Sequence, residues 1–487
     1  MDFIMSPTLI GIVFLLYTLL LFLIGILTGR KADDDAYYRG NRRSPWYVVA
    51  YGMVGASLSG VTFMSVPGNV LHENFYYLPM VLGFVAGYAV IAKVLLPLYY
   101  KKNLTSIYGY LQERFGMKSY KSGAAYFLLS RSLGATLRMF LVVSVLHEFV
   151  FRQMGIPFFV AALIFILLIL GYTFKGGIRT IVWTDTLQTT FMLLAVAVSM
   201  ICMARGMGWS LGEMCAAINE SPFSKIWDTD PKSSRFFLKQ FLSGMFVTIT
   251  MTGLDQDMMQ KNLTCKSLRD AQKNMFTLSG ILLVVNEMFL ALGAVLGLYA
   301  HKVGLTVADS DHLFATVAIQ YLSPLAGLSF VIGVLSAAYS SADGALTAVT
   351  TSFTIDILGV ERRNLPEVRR KKIRYLVHLG MAALFLLLIV AFNAFKNDSV
   401  INMVYDIASY TYGPLLGLFV AGIYTSWQPR DRYTPYVVLL SPLLSFLIVR
   451  ACLYLWNYHF GFELLLLNGL LTFAGLWLIS PKAARKA

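Results

Sequence analysis

The sequence predicts an all-α polytopic membrane protein, and three observations carry that reading. Of 487 residues, 57% are hydrophobic and only 14% charged, against about 25% charged in an ordinary soluble domain. Apolar runs long enough to cross a hydrocarbon layer about 30 Å thick recur along the whole chain. The basic residues behind a formal charge of +14 sit in short loops between those runs. There they set orientation and do not form a nucleic-acid surface. No polar stretch is long enough to build a separate soluble domain.

Thirteen spans are expected, at about residues 8–28, 45–71, 77–99, 122–150, 155–174, 180–205, 236–256, 274–300, 312–355, 374–395, 400–425, 434–456 and 459–480. The first has no basic segment before it and no small-residue cleavage site, so it reads as a retained span. The second carries Gly55, Gly60, Pro67 and Gly68, with Ser57, Ser59 and Thr62 between them, and reads as a broken helix. The fourth holds Arg131 and Arg138 in apolar surroundings, and the sixth holds Asp185 near its start. The seventh carries Thr248, Thr250, Thr252 and Gly253, then Asp255 and Gln256, and reads as a second broken helix. The ninth is long enough to include a polar flank or a break, and the eleventh contains Asp406. Lysine and arginine collect after spans one, three, five, seven, nine and eleven and at the end of the chain. That alternation predicts an N-terminus outside and a C-terminus in the cytoplasm.

The two broken helices lie five spans apart. Interrupted apolar segments at matching places in two halves point to an inverted repeat with a binding site at mid-membrane. Glycine and proline are also common in intact membrane helices, so the argument rests on the spacing.

The segment 335–356, LSAAYSSADGALTAVTTSFTID, is an apolar run interrupted by hydroxyls and one acid. Ser340, Ser341 and Asp343 lie within about one helical turn, with Ala337 three residues before Ser340. Hydroxyls, a carboxylate and backbone carbonyls are hard oxygen ligands that can replace the hydration shell of a small cation. Small residues alone would read as helix packing. The intramembrane acid turns the reading toward cation binding. Cys202, Cys215, Cys265 and Cys452 are scattered, which suggests neither a metal site nor a disulfide framework. No nucleophile–base motif, phosphate loop or zinc motif is present, so no enzyme is expected.

Segment 335–356 resembles the signature helix of the sodium:solute symporters, the family of sodium/glucose, sodium/iodide and sodium/proline carriers. GGIRTIVWTDTLQ (176–188), GASLSGVTFMSVPG (55–68), GLDQDMMQK (253–261) and YGPLLGLFVAGIY (412–424) are similar to four further family segments. The resemblance implies a leucine-transporter-type fold. Its parts would be a leading helix at 8–28, five-helix repeats at 45–205 and 236–425, and two trailing helices at 434–480. It implies a sodium ion as the cofactor, held by the carbonyls of Gly55, Leu58 and Ala337 and the hydroxyls of Ser340 and Ser341. Some members bind a second sodium, which here would use Asp185 and Ser340 with Asp343. Asp343 and Gly344 stand where those members have hydroxyls, so stoichiometry stays open. Asp185 has an alternative role as a gate or helix cap.

Arg138 bears on the substrate. An arginine inside a span must pair or face water, and a guanidinium suits bidentate capture of a carboxylate. In sialic acid members an arginine on this helix holds the substrate carboxylate, and the LRM context is similar. The alternative is pairing with a protein acid such as Asp343 or Asp406. Ser57, Ser59 and Thr62 match substrate-contacting positions, and Gln256 and Asp406 join them as expected substrate contacts. Tyr76 and Tyr77 read as aromatic gates or interface anchors, and His72 and Glu73 as an outer loop. Arg131 is expected to snorkel to lipid headgroups or water. The expected function is sodium-coupled import of sialic acid or a related sugar acid, with a neutral sugar, another carboxylate or an amino acid as alternatives. The expected location is a bacterial cytoplasmic (inner) membrane. The expected partners are the substrate, sodium and the lipid bilayer, with no nucleic acid and no protein partner implied.

Overall fold

Backbone polar groups in lipid must be satisfied internally, which turns apolar runs into helices. The computed structural model describes residues 7–29, 34–305, 310–363, 365–394 and 400–481. Its long helices are α1 (Pro7–Gly29), α2 (Trp46–Glu73), α3 (Leu78–Lys101), α4 (Met117–Phe151), α5 (Phe158–Gly176) and α6 (Ile178–Met207). They continue as α7 (Phe237–Thr248, prolonged by a wider π turn, Ile249–Gly253), α8 (Leu268–Lys302), α9 (Pro324–Ile357) and α10 (Glu367–Ala394). The last three are α11 (Val400–Tyr424), α12 (Thr434–Trp456) and α13 (Leu464–Leu478). Among the described residues, ten helices are long and apolar enough to cross a membrane, and α5 and α13 are shorter apolar helices. Each long helix falls on an expected span. The ninth run divides: backbone at Leu322 and Ser323 turns extended, and Pro324 then opens α9 at a position where a missing N–H costs nothing.

Burial sorts the helices. In α2 and α9, 83% and 78% of the apolar stretch is buried, against 22% in α10 and 17% in α12. The polar-rich helices therefore form the centre, and the smooth apolar ones form the rim. α2 packs chiefly on α8, α6 and α9, and α9 chiefly on α6.

α3 and α7 meet backbone to backbone. A Cβ built on Gly83 would collide with the Phe241 carbonyl, and one on Gly244 with the Met80 carbonyl. Only glycine permits that approach. Gly244→Val is expected to destabilise the protein by about 1–3 kcal/mol, read as a lower thermal midpoint in detergent. Gly280→Val, where a Cβ meets nothing within 4 Å, is expected to leave the midpoint unchanged.

Both expected breaks are present. In α2, Ser59 has φ 54° and ψ 173°, which interrupts the helical hydrogen-bond ladder around it. A non-glycine residue held this way costs about 1–3 kcal/mol and persists only where its surroundings demand it. In the seventh span the π turn ends at Gly253, and Asp255 is extended before the short helix Gln256–Asn262. The Asp255 carboxylate caps that helix, accepting from the amides of Asp257 (2.9 Å) and Met258 (3.2 Å). Tyr99 donates to the Gly253 carbonyl (2.8 Å) and Tyr108 to the Leu254 carbonyl (2.9 Å). The freed backbone is thus taken up by protein groups, as a break at membrane depth requires.

Candidate cation and substrate site

The α2 break opens into a cavity of about 110 Å³. Ser57, Ser59 and Thr62 line one wall, Tyr88, Thr248 and Thr252 another, and Arg138 and Asn286 also face it. It offers two guanidiniums, Arg138 and the Arg131 that Asp255 and Asp257 already pair, among hydroxyls, phenols and one amide, together with the apolar Phe84, Met251 and Val404. Such a set suits a polyol carrying one negative charge. A larger vestibule of about 630 Å³ adjoins it, with Val66 and Tyr77 common to both. Its wall includes His72, Glu73, Tyr76, Arg235, Asp406 and His459. Arg235 pairs with Glu73, donating from its terminal nitrogen at 2.8 Å.

Beside the break, α2 and α9 touch. A Cβ on Gly55 would lie 3.4 Å from Ser340 Oγ and 2.5 Å from Thr189 Oγ1. The Gly55 amide already donates to Thr189 Oγ1 (3.0 Å). A side chain at residue 55 would therefore wedge α2 away from α6 and α9. On α9, Ser341 donates to the Ala337 carbonyl (3.0 Å) and Ser340 to Asp185 Oδ1 (2.8 Å). Gly55 thus lies against Ser340 where α2, one turn before its break at Ser59, meets α9.

An ionic cluster lies next to this point. Asp185 Oδ2 is 2.8 Å from Lys261 Nζ, and the same ammonium is 3.5 Å from Asp257 Oδ1. Arg131 pairs closely with Asp257 and stands 3.7 Å from Asp255 Oδ2. Tyr412 donates to that oxygen of Asp255 at 2.5 Å. Asp343 Oδ2 accepts from Tyr172 (2.9 Å) and from the Gln188 amide (3.5 Å). All six charged side chains are at most 4% exposed. Five of them are held in ion pairs, as buried charges require, and Asp343 is held by the neutral donors Tyr172 and Gln188.

The sequence model of the Sodium:solute symporter family matches residues 37–429. The chain belongs to that family. This symporter is 24% identical over 472 residues to the sodium/sialic acid symporter SiaT of Proteus mirabilis, covering 92% of this chain and 90% of that protein. It is 23% identical to the sodium/sialic acid symporter NanT of Aliivibrio fischeri, with coverages of 89% and 85%. It is also 23% identical to the human sodium/iodide cotransporter, over 82% of this chain and 63% of that protein. Among solved structures it resembles a Na+-coupled sialic acid symporter in a substrate-bound outward-open state. The TM-score there is 0.81 at 20% identity, and 96% of each chain is covered. The nucleobase-cation-symport-1 transporter Mhp1 matches with a TM-score of 0.56. The fold is the leucine-transporter type, and the protein is a sodium-coupled transporter and not an enzyme.

The symporter's expected substrate contacts divide. Ser57, Ser59, Thr62 and Arg138 line the cavity, but Gln256 does not appear in its wall. The Gln256 amide oxygen accepts from Ile107 N (3.0 Å) and its nitrogen donates to Thr105 O (2.9 Å). It is a clamp on the segment between α3 and α4. Asp406 is exposed and lines the vestibule. Arg131 does not snorkel: it is 4% exposed, because Asp255 and Asp257 hold it inside. Asp185 does not cap a helix, since it lies seven residues into α6 and engages Ser340 and Lys261. Tyr88, Thr248, Thr252 and Asn286 enter the cavity wall without having been expected there. Lys261 was also missed, although a lysine four residues after Asp257 was a visible i,i+4 pair.

Proposed function

We propose that this symporter carries sialic acid or a closely related sugar acid inward with sodium, across the cytoplasmic membrane of a bacterium. One observation supports this reading most: Arg138 shares a cavity with the hydroxyls of Ser57, Ser59 and Thr62 at the broken helix. The guanidinium takes the carboxylate and the hydroxyls take the polyol. The names of the bacterial relatives agree with that chemistry. Sodium binds through the carbonyls of Gly55, Leu58 and Ala337 and the hydroxyls of Ser340 and Ser341. It stabilises the outward-facing arrangement and fixes the α2 break. Substrate then binds, and repeats 45–205 and 236–425 rock to release both ligands into the cytoplasm. Helix 8–28 leads and 434–480 trails, with the N-terminus outside and the C-terminus in the cytoplasm. Each inward charge contributes about 2.3 kcal/mol per 100 mV.

The test is uptake of labelled N-acetylneuraminate into proteoliposomes, with and without an inward sodium gradient. Sodium-dependent uptake is expected. Arg138→Ala is expected to raise KM at least about tenfold, the loss of one charge-assisted hydrogen bond. Sodium-driven uptake of glucose or galactose in place of N-acetylneuraminate would overturn the sugar-acid assignment.

A further inference from the structure

Lys261 stands beside Asp185, one of the groups that the family resemblance assigns to a second sodium. Asp185 and Ser340, the first two groups such an ion would use, are hydrogen-bonded at 2.8 Å. The other oxygen of Asp185 is already 2.8 Å from the Lys261 ammonium, which also lies 3.5 Å from Asp257. At 1% exposure, this ammonium has these carboxylates around it and not bulk water. An ammonium is a compact point charge of the same sign as the ion it would replace. Two like charges within a few ångströms of one another in a dry interior exclude each other.

Gly344 completes the arrangement. A Cβ there would be 2.9 Å from Lys261 Nζ and 2.5 Å from Asp257 Oδ1. Asp257 and the lysine together fill the space that a side chain at residue 344 would need, so a hydroxyl ligand there requires both side chains to shift. Asp343 is engaged elsewhere, by Tyr172 on α5 and Gln188 on α6.

We propose that Lys261 is a built-in counter-cation that occupies the second cation position, so that this protein carries one sodium per substrate molecule. The inference rests on the sodium site proposed above.

Saturable binding of radiolabelled sodium to the purified full-length protein, without substrate, tests it. One ion per chain is expected. Two ions per wild-type chain would overturn the proposal while leaving sodium coupling intact. No saturable binding would sink the sodium site itself. The double variant Lys261→Ser with Gly344→Ser removes the ammonium and adds two hydroxyls. It is expected to bind two ions, and the Hill coefficient for sodium in uptake should rise above one. Lys261→Arg, which keeps the charge, should still bind one. A double variant that is monodisperse and helical by circular dichroism but binds one ion would count against the lysine as the excluding group. If that variant does not fold, the wild-type count decides.

Discussion

Replacing Arg131 with methionine is expected to lower stability by about 3–5 kcal/mol, the cost of breaking a buried ion pair by removing one partner. Arg131 joins Asp257 to Asp255 across the α7 break. Methionine fills much of the same volume but leaves the buried carboxylates of Asp255 and Asp257 without the guanidinium between them, with Tyr412 and the amides of Asp257 and Met258 as donors to Asp255. The break would lose the charge that holds its two sides. Thermal unfolding of the purified protein in detergent checks this, with Arg152→Met at an exposed position as the comparison. Arg131→Lys should recover only part of the loss, because a point charge cannot span two carboxylates as a guanidinium fork does. A loss below about 1 kcal/mol would place the cluster with solvent-screened surface pairs and contradict its burial.

Ser340→Ala is expected to raise the sodium concentration for half-maximal uptake by about 10–100-fold. The hydroxyl is a proposed sodium ligand and also donates to Asp185 at 2.8 Å. A hydrogen bond to a charged group contributes about 1.5–3 kcal/mol, and each 1.4 kcal/mol is about tenfold in affinity. Ser341→Ala should act in the same direction, while also releasing the Ala337 carbonyl. Initial uptake rates across a sodium series give the answer. Unchanged sodium dependence in both variants would remove α9 from the cation site.

The long helices were legible in the sequence because lipid imposes a minimum length on every apolar run. The two breaks were legible because Gly55 to Gly68 and Thr248 to Gln256 concentrate residues that do not belong in smooth membrane helices. Direction was harder to read. Gln256 has the chemistry of a substrate contact, but the position of residues 104–108 turns its amide toward their backbone. Arg131 looked close enough to a helix end to reach water, and only its acids on another segment show that it stays inside. Lys261 reads as a loop lysine by local composition. Its burial follows from the short helix Gln256–Asn262 packing against α9 and α6, a long-range packing result that no local pattern carries.

Arg131 has a second property, since it also lines the cavity. From it the contacts run to Asp257, Lys261, Asp185 and Ser340. An unbroken electrostatic chain therefore joins the wall proposed to meet the substrate to the helix proposed to meet sodium. Free energy exchanged along it is reciprocal: whatever factor sodium adds to substrate affinity, substrate adds to sodium affinity. For a coupling of about 1–3 kcal/mol that factor is about 5–150. Such linkage disfavours the half-loaded states, in which one ligand would slip across the membrane without the other and dissipate the gradient.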